Sequence, residues 1–350
     1  MISLQNKMPI RVFGGSHDDH IGLILSQFPA GVVLDLQAIR MNLAKRVAFK
    51  TGLSTRCEED QFEIVSGVKD GLTTGDDLTF IIYNRDVDSD PYLKARGIMR
   101  PSHADYVSWV KYHEILIGGG AFSGRMTVLY IILGSICEQL LQKYPIRVFS
   151  RIKSIHVIKD PTEVIDYTTL DPLFPVADPV TRKKMIHLIT SLTDDSVGGV
   201  IELCIQGVPI GLGDPVFGGL EAMFSQILFA IPGIKGIEFG SGFDITKKFG
   251  HEVNDLMKYV DEKVVFLSNY SGGIQGGVAN GEDIIIRLAV KPTPSIRMPQ
   301  QTINVLTKTN VTTSIEGRHD AAFIIKVVHV ACAMATYAVA QALRGTPYER

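Results

Sequence analysis

The chain has 350 residues, 45% of them hydrophobic, and carries 35 Lys and Arg against 37 Asp and Glu for a formal net charge of -2. That apolar share excludes a disordered or fibrous chain and, at roughly 150 residues per domain, allows two modest domains or one large α/β or α+β domain. The near-neutral balance leaves no global positive field to hold a polyanion by counterion release, so nucleic acid is not an expected partner.

In chain order, runs rich in β-branched residues predict strands at 11–13, 21–26, 78–84, 199–208, 263–267 and 284–290. Helical periodicity predicts helices at 36–47, 127–142, 220–230 and 320–343. The succession of 264–267 and 284–290 reads as hairpin-like, which favours antiparallel pairing. With helices and strands interleaved irregularly, the expected class is α+β in packed layers. No Pro/Ser-rich linker or short repeat divides the chain, so a single domain over 1–350 is expected. The most apolar stretch, 321–343, contains Lys326 and His329. A membrane span wants about 20 uninterrupted apolar residues, so this stretch reads as a buried helix and no membrane partner is expected. Cys57, Cys137, Cys204 and Cys332 show no CxxC spacing, and no basic stretch followed by an apolar one opens the chain. A cytoplasmic location is therefore expected.

Several polar constellations stand out against this background. Phe13 to His20 forms a glycine-rich turn after a strand, presenting two histidines and two carboxylates. The Gly-Gly-Ser turn can aim His17 into a cleft, where an imidazole donates or accepts a proton near neutrality. Asp19 and His20 read more simply as solvated loop residues. In Arg100 to Tyr106 a proline stiffens the entry, Arg100 is a fixed cation, and Asp105 could orient the His103 ring. The plainer reading is a surface ion pair, which stabilises little. Gly118-Gly119-Gly120 runs towards the 127–142 helix, where backbone N–H groups can converge on an anion. This run lacks the endings of a P-loop or a GxGxxG motif, and a tight structural turn is the alternative. Glycines recur at 271–281, followed by Lys291-Pro292-Thr293-Pro294-Ser295, and Asp320 stands where it could cap the last helix. No Cys/His metal cluster and no Ser-His-Asp arrangement is present. The residues point to a small, phosphorylated polyanion bound with acid/base assistance.

The segments RVFGGSHDDHIG, SGVKDGLTTG, RPSHADY, GGGAFSGRMT, DSVGGVIELCIQGVPIGLGDPVF, IPGIKGIEFGSGF, GGIQGGVANGEDI, KPTPSI and GRHDAA, in this order from Arg11 to about Leu343, resemble the chorismate synthase family. The resemblance implies a layered β-α-β sandwich of antiparallel sheets and helices. It implies a homotetrameric lyase of the shikimate pathway, which converts 5-enolpyruvylshikimate 3-phosphate to chorismate and phosphate by anti-1,4-elimination. It also implies reduced FMN as cofactor, with NADPH involved only where a member reduces its own flavin. By position, His17 matches the histidine that protonates the departing phosphate, His103 the one that protonates the flavin, and Asp320 the acid near flavin N5. Arg46, Arg100, Ser123, Arg125 and Arg318 match substrate-binding positions. Ala121, Phe122, Ser123, Glu252, Val253, Asn254, Gly276, Lys291, Pro292, Thr293, Pro294, Ser295 and Arg318 match flavin contacts.

The chain also departs from the family pattern. The usual GESHG reads Gly15-Ser16-His17-Asp18, without the glutamate and with a carboxylate beside the histidine. Arg-Arg-x-Pro-Gly reads Lys45-Arg46-Val47-Ala48-Phe49, Ala121 follows the triple glycine, and Ala321-Ala322 replaces Pro-Cys. These departures set an active, divergent enzyme against a paralogue that keeps the fold, and flavin or anion binding, without the elimination.

Overall fold

Ile10 and Val12, then Ile21, Leu23 and Leu25, then Leu78, Phe80 and Ile82 occupy alternate positions of three neighbouring strands and are all buried. This period of two gives the sheet one dry face. A computed structural model describes residues 1–47, 60–85, 89–315 and 320–349. In it the first sheet is antiparallel, in the order Ile2–Leu4, Ile10–Phe13, His20–Leu25, Leu78–Tyr83, Phe62–Ser66. The second, also antiparallel, runs Ile234–Phe239, Ile284–Val290, Gly199–Gln206, Arg147–Ile155, Ile158–Lys159.

Helices Thr127–Leu141 and Ile324–Leu343 pack against each other between the sheets. The first contacts His20–Leu25 and the second contacts Arg147–Ile155 and Gly199–Gln206, with helices Leu36–Val47 and Leu220–Leu228 at their flanks. The expected α+β sandwich of sheet, helices and sheet is what the chain forms. The stretches Gly124–Leu141 and Ile324–Leu343, which hold these two helices, are long and apolar enough to cross a membrane, and 83% of an 18-residue window in each is buried inside the protein. A helix covered on all sides has no polar face to keep.

Two expectations need correction. Lys263–Phe266 pairs with Met257–Val260, and Ile284–Val290 lies between Gly199–Gln206 and Ile234–Phe239. The glycine-rich segment between these strands makes its own small hairpin, Ile274–Gln275 with Val278–Ala279, and so separates them. The last helix starts at Ile324, with Phe323 as its N-cap residue. Asp320 therefore does not cap it.

The helix crossing turns on Gly134. A Cβ there would lie 2.4 Å from both Cα and Cβ of Ala333. Alanine raises helix propensity by about 1 kcal/mol over glycine, but backbone at that distance cannot yield without parting the helices. Gly134→Val is therefore expected to cost about 1–3 kcal/mol through overpacking and to lower the thermal unfolding midpoint. A wild-type midpoint would show that the crossing is looser than described.

Candidate active site

The His17 loop leaves one strand of the first sheet and enters the next, and Gly14 makes the turn at φ +79°, where a Cβ would lie 2.2 Å from the His20 carbonyl oxygen. Ser16 is buried and ties this loop to the triple glycine. Its N–H donates to the Gly120 carbonyl at 3.3 Å, and its hydroxyl donates to the Gly118 carbonyl at 3.1 Å. The same Oγ lies 3.0 Å from His17 Nδ1. With the hydroxyl proton committed to Gly118, Nδ1–H is the donor in that contact. Gly118, at φ +61°, makes room for the ring, since a Cβ there would lie 1.9 Å from His17 Cε1. His17 also meets Tyr92 edge-on, with ring centroids 5.0 Å apart, and Arg100 lies 5.3 Å from the same Tyr92 ring. The structure thus brings His17, Arg100 and Gly118–120 together.

Asp105 does not orient His103. Its carboxylate takes Arg100 in a fork, Nε at 2.7 Å and Nη2 at 2.8 Å, and accepts the Arg100 backbone N–H at 3.1 Å. A planar guanidinium fits a carboxylate this way, with both N–H bonds satisfied at once. His103 is held by Pro101 and Ser295 instead, with Nδ1 3.0 Å from the Pro101 carbonyl oxygen and Nε2 2.8 Å from Ser295 Oγ. A carbonyl only accepts, so Nδ1 carries the proton and Nε2 accepts from Ser295. Burial, followed by the positive charge of Arg100, lowers the His103 pKa to about 4. The ring is therefore neutral at pH 7 before an anion binds, whereas the sequence suggests an acid poised near neutrality. Lys291 Nζ donates to the Ser102 carbonyl at 2.8 Å, joining the same two segments.

Arg46 and Arg125 share one carboxylate, that of Asp60, whose side chain is 2% exposed. Arg46 reaches Asp60 at 3.3 Å and also donates to Thr127 Oγ1 and the Gly124 carbonyl, each at 3.3 Å. Arg125 donates to Asp60 through Nη1 and to Asn84 Oδ1 through Nε at 3.1 Å. Ser123 caps the short turn Gly124–Met126, its hydroxyl oxygen accepting the Arg125 backbone N–H at 3.3 Å. Neither Asp60 nor Asn84 stands out in the sequence, because their shared partner Arg125 is remote along the chain.

Of the segments matched to flavin, 291–295 lies against the RPSHAD loop through His103 and Lys291. Within it, Thr293 Oγ1 is buried with no hydrogen-bond partner among the described residues, which suits a polar ligand rim. The Thr293 carbonyl accepts Ser196 Oγ at 2.6 Å, and Val197 N–H donates to the Ala321 carbonyl at 2.8 Å, so Asp320 sits near this strand end. Its carboxylate pairs with Lys326 Nζ at 2.8 and 2.9 Å. Ala121 and Phe122 continue the triple glycine, and the Phe122 side chain is 43% exposed. Glu252, Val253 and Asn254 belong to the short helix Gly250–Val253 and its C-cap, where Glu252 accepts the Phe249 N–H at 2.8 Å. Gly276 turns the hairpin that packs on Leu212 and Leu220. Arg318 lies outside the described residues, as do Ala48 and Phe49.

Two outcomes follow from this arrangement. An unfolded histidine titrates near 6.5 and His103 at about 4 in the fold. Its share of stability is therefore fully present above pH 6.5 and is lost as pH falls toward 4. Unfolding midpoints measured across that window should fall less steeply in His103→Gln, and an unchanged slope would show that the ring is not held neutral. Asp60→Asn leaves two guanidiniums without their shared anion. Removing one partner of a buried pair costs about 3–5 kcal/mol, which denaturant unfolding would register; a loss below about 1 kcal/mol, the exposed-pair range, would contradict the described burial.

Comparison with known proteins assigns the family. The family model for chorismate synthase matches residues 8–343. The chorismate synthase of Lachnoclostridium phytofermentans is 39% identical over 345 residues, covering 95% of this chain and 92% of that protein. That of Dehalococcoides mccartyi is 36% identical over 344 residues, covering 95% and 93%. That of Archaeoglobus fulgidus is 35% identical over 340 residues, covering 95% and 94%. A crystal structure of chorismate synthase superposes with a TM-score of 0.73 at 25% identity, covering 95% of this chain and 90% of that one. The chain belongs to the chorismate synthase family.

Proposed function

We propose that this chain is a carbon–oxygen lyase that removes phosphate from 5-enolpyruvylshikimate 3-phosphate to give chorismate, an anti-1,4-elimination of the shikimate pathway. Membership of the family over residues 8–343 carries the reading. The meeting of His17, Arg100 and the triple glycine, beside the Arg46–Asp60–Arg125 cluster, supports it in physical terms.

The reaction breaks the ring carbon–oxygen bond to phosphate and one ring carbon–hydrogen bond, so the protein must hold a polyanion, give a proton to phosphate and take one from the ring. Arg46, Arg100, Arg125 and Arg318, with Ser123, hold the phosphate and carboxylates. Asp60 and Asp105 fix three of these guanidiniums before the substrate arrives, so little side-chain entropy remains to be lost on binding. Nε2 of His17 protonates the departing phosphate, with Ser16 fixing the ring through Nδ1. Asp320 receives the ring proton, and Lys326 Nζ, paired with its carboxylate at 2.8 Å, holds that carboxylate in place.

Reduced FMN, when bound, supplies the transient electron donation that eases phosphate departure. It would be held by Lys291 to Ser295, Ala121 to Ser123, Glu252 to Asn254, Gly276 and Arg318. The Thr293 hydroxyl, without a hydrogen-bond partner among the described residues, supports this assignment, and His103 would lie beside the flavin with its Nδ1 proton given to the Pro101 carbonyl. NADPH enters only if the chain reduces its own flavin. The working form is a cytoplasmic homotetramer of single-domain chains. The exposed apolar side chains of the hairpin Met257–Val260 and Lys263–Phe266, with Tyr259 78% exposed, support burial against another copy.

The test is an anaerobic assay with dithionite-reduced FMN and 5-enolpyruvylshikimate 3-phosphate, following chorismate and phosphate together. Equal production of both is expected, and His17→Ala and His103→Ala should each lower turnover by about 10²-fold or more while leaving the fold intact. Absence of turnover in folded, flavin-binding protein would overturn the reading, and unchanged rates in both variants would remove the assigned proton donors.

A further inference from the structure

Asn84 follows the strand Leu78–Tyr83, whose last residue pairs with His20 at the start of the neighbouring strand. Its backbone N–H donates to the Asp19 carbonyl at 3.0 Å. Its side-chain Nδ2 donates to the Gly15 carbonyl at 3.1 Å and to the Asp18 carbonyl at 2.7 Å, the two carbonyls that bracket Ser16 and His17. At the other end of the same amide, Oδ1 accepts Arg125 Nε–H at 3.1 Å. The network decides which way the amide points. A flipped amide would set its NH₂ against the guanidinium and its oxygen against two carbonyls, losing all three bonds.

We propose that Asn84 is a positioning residue for the elimination: one planar amide fixes the His17 loop and the Arg125 guanidinium in a single register, so that the proton donor and the anion-holding cation meet the same phosphate. The inference rests on the proposed function. Few side chains can take this place. Aspartate has no donors for the loop, a hydroxyl is too short to span both partners, and glutamine is one methylene longer. Arg125 is buried, and Asp60 takes its Nη1, so Asn84 and Asp60 together settle the plane of the guanidinium. In such a site a displacement near 1 Å costs on the order of 10²-fold in rate.

A double-mutant cycle with reduced FMN and 5-enolpyruvylshikimate 3-phosphate, normalised to folded enzyme by circular dichroism, tests this. Asn84→Ala is expected to lower kcat by about 10²-fold and raise KM, with partial recovery in Asn84→Gln. In a His17→Ala background the same change should lower kcat by no more than about threefold, because Asn84 acts on that step through His17. A merely structural residue would lower the unfolding midpoint and leave both constants of the folded fraction alone. Wild-type constants in Asn84→Ala, or a full multiplicative loss in the double mutant, would overturn the inference. If the wild type itself shows no turnover, the functional reading fails, and the inference is decided by the His17 ring resonances, assigned by their loss in His17→Gln. A shift or broadening in Asn84→Ala supports it, and unmoved resonances overturn it.

Discussion

The site is built around a stretch of backbone that side chains other than glycine adopt only with strain. Gly118, Gly119 and Gly120 have φ of +61°, +83° and +52° in succession, a left-handed run that costs an L-residue roughly 1–2 kcal/mol at each position. Carbonyls of this run take the Ser16 N–H and hydroxyl, and the surface of Gly118 takes the His17 ring. Immediately afterwards the chain supplies Ser123 and Arg125 and enters a central helix at Thr127. The histidine loop, anchored in the first sheet, and the arginine, anchored to the helix layer, meet because the glycines let the backbone pass between them.

Charge is the second constraint. Several guanidiniums close together repel, and here each one described at the site has a carboxylate: Asp105 for Arg100, and Asp60 for Arg46 and Arg125. The same economy appears in the second sheet, where Arg151, Glu202, Arg287 and Glu238 stand opposite one another on four adjacent strands and alternate in sign. Arg151 is 1% exposed, and Glu202 meets it at 2.6 Å and Arg287 at 2.8 Å. Buried charges persist where a partner of opposite sign and hydrogen bonds accompany them. The neutral state of His103 follows from similar reasoning, since burial and the nearby Arg100 both oppose a further positive charge.

Much of the fold is legible in the sequence where apolar periodicity is clean. The helix read at 36–47 is Leu36–Val47, and the strand read at 199–208 is Gly199–Gln206. The longest strand among the described residues, Arg147–Ile155, escapes that reading because Arg147, Arg151 and Lys153 interrupt its pattern, and Arg151 is explained by the cross-strand Glu202 together with Asp160. Helix Pro179–Ser191 does carry a local signal, Asp178 accepting the Thr181 N–H with proline at the first position. At the site, glycine density points to His17 and to the triple glycine, since unusual backbone demands an unusual residue. Asp60 and Asn84 give no such sign, because their partner Arg125 lies 65 and 41 residues away. Asp320 reads as a cap from its place before an apolar run, yet the helix begins later and Lys326 claims the carboxylate.

The central claim is spatial: the phosphate of the substrate sits between His17 and the guanidiniums, over the left-handed glycines. A crystal structure of the protein with oxidised FMN and 5-enolpyruvylshikimate 3-phosphate tests it most directly. The account predicts His17 Nε2 within hydrogen-bond distance of a phosphate oxygen, with Gly118–120 still left-handed and Asn84 still joining Gly15, Asp18 and Arg125. A phosphate bound away from His17, with that loop rearranged, would contradict it.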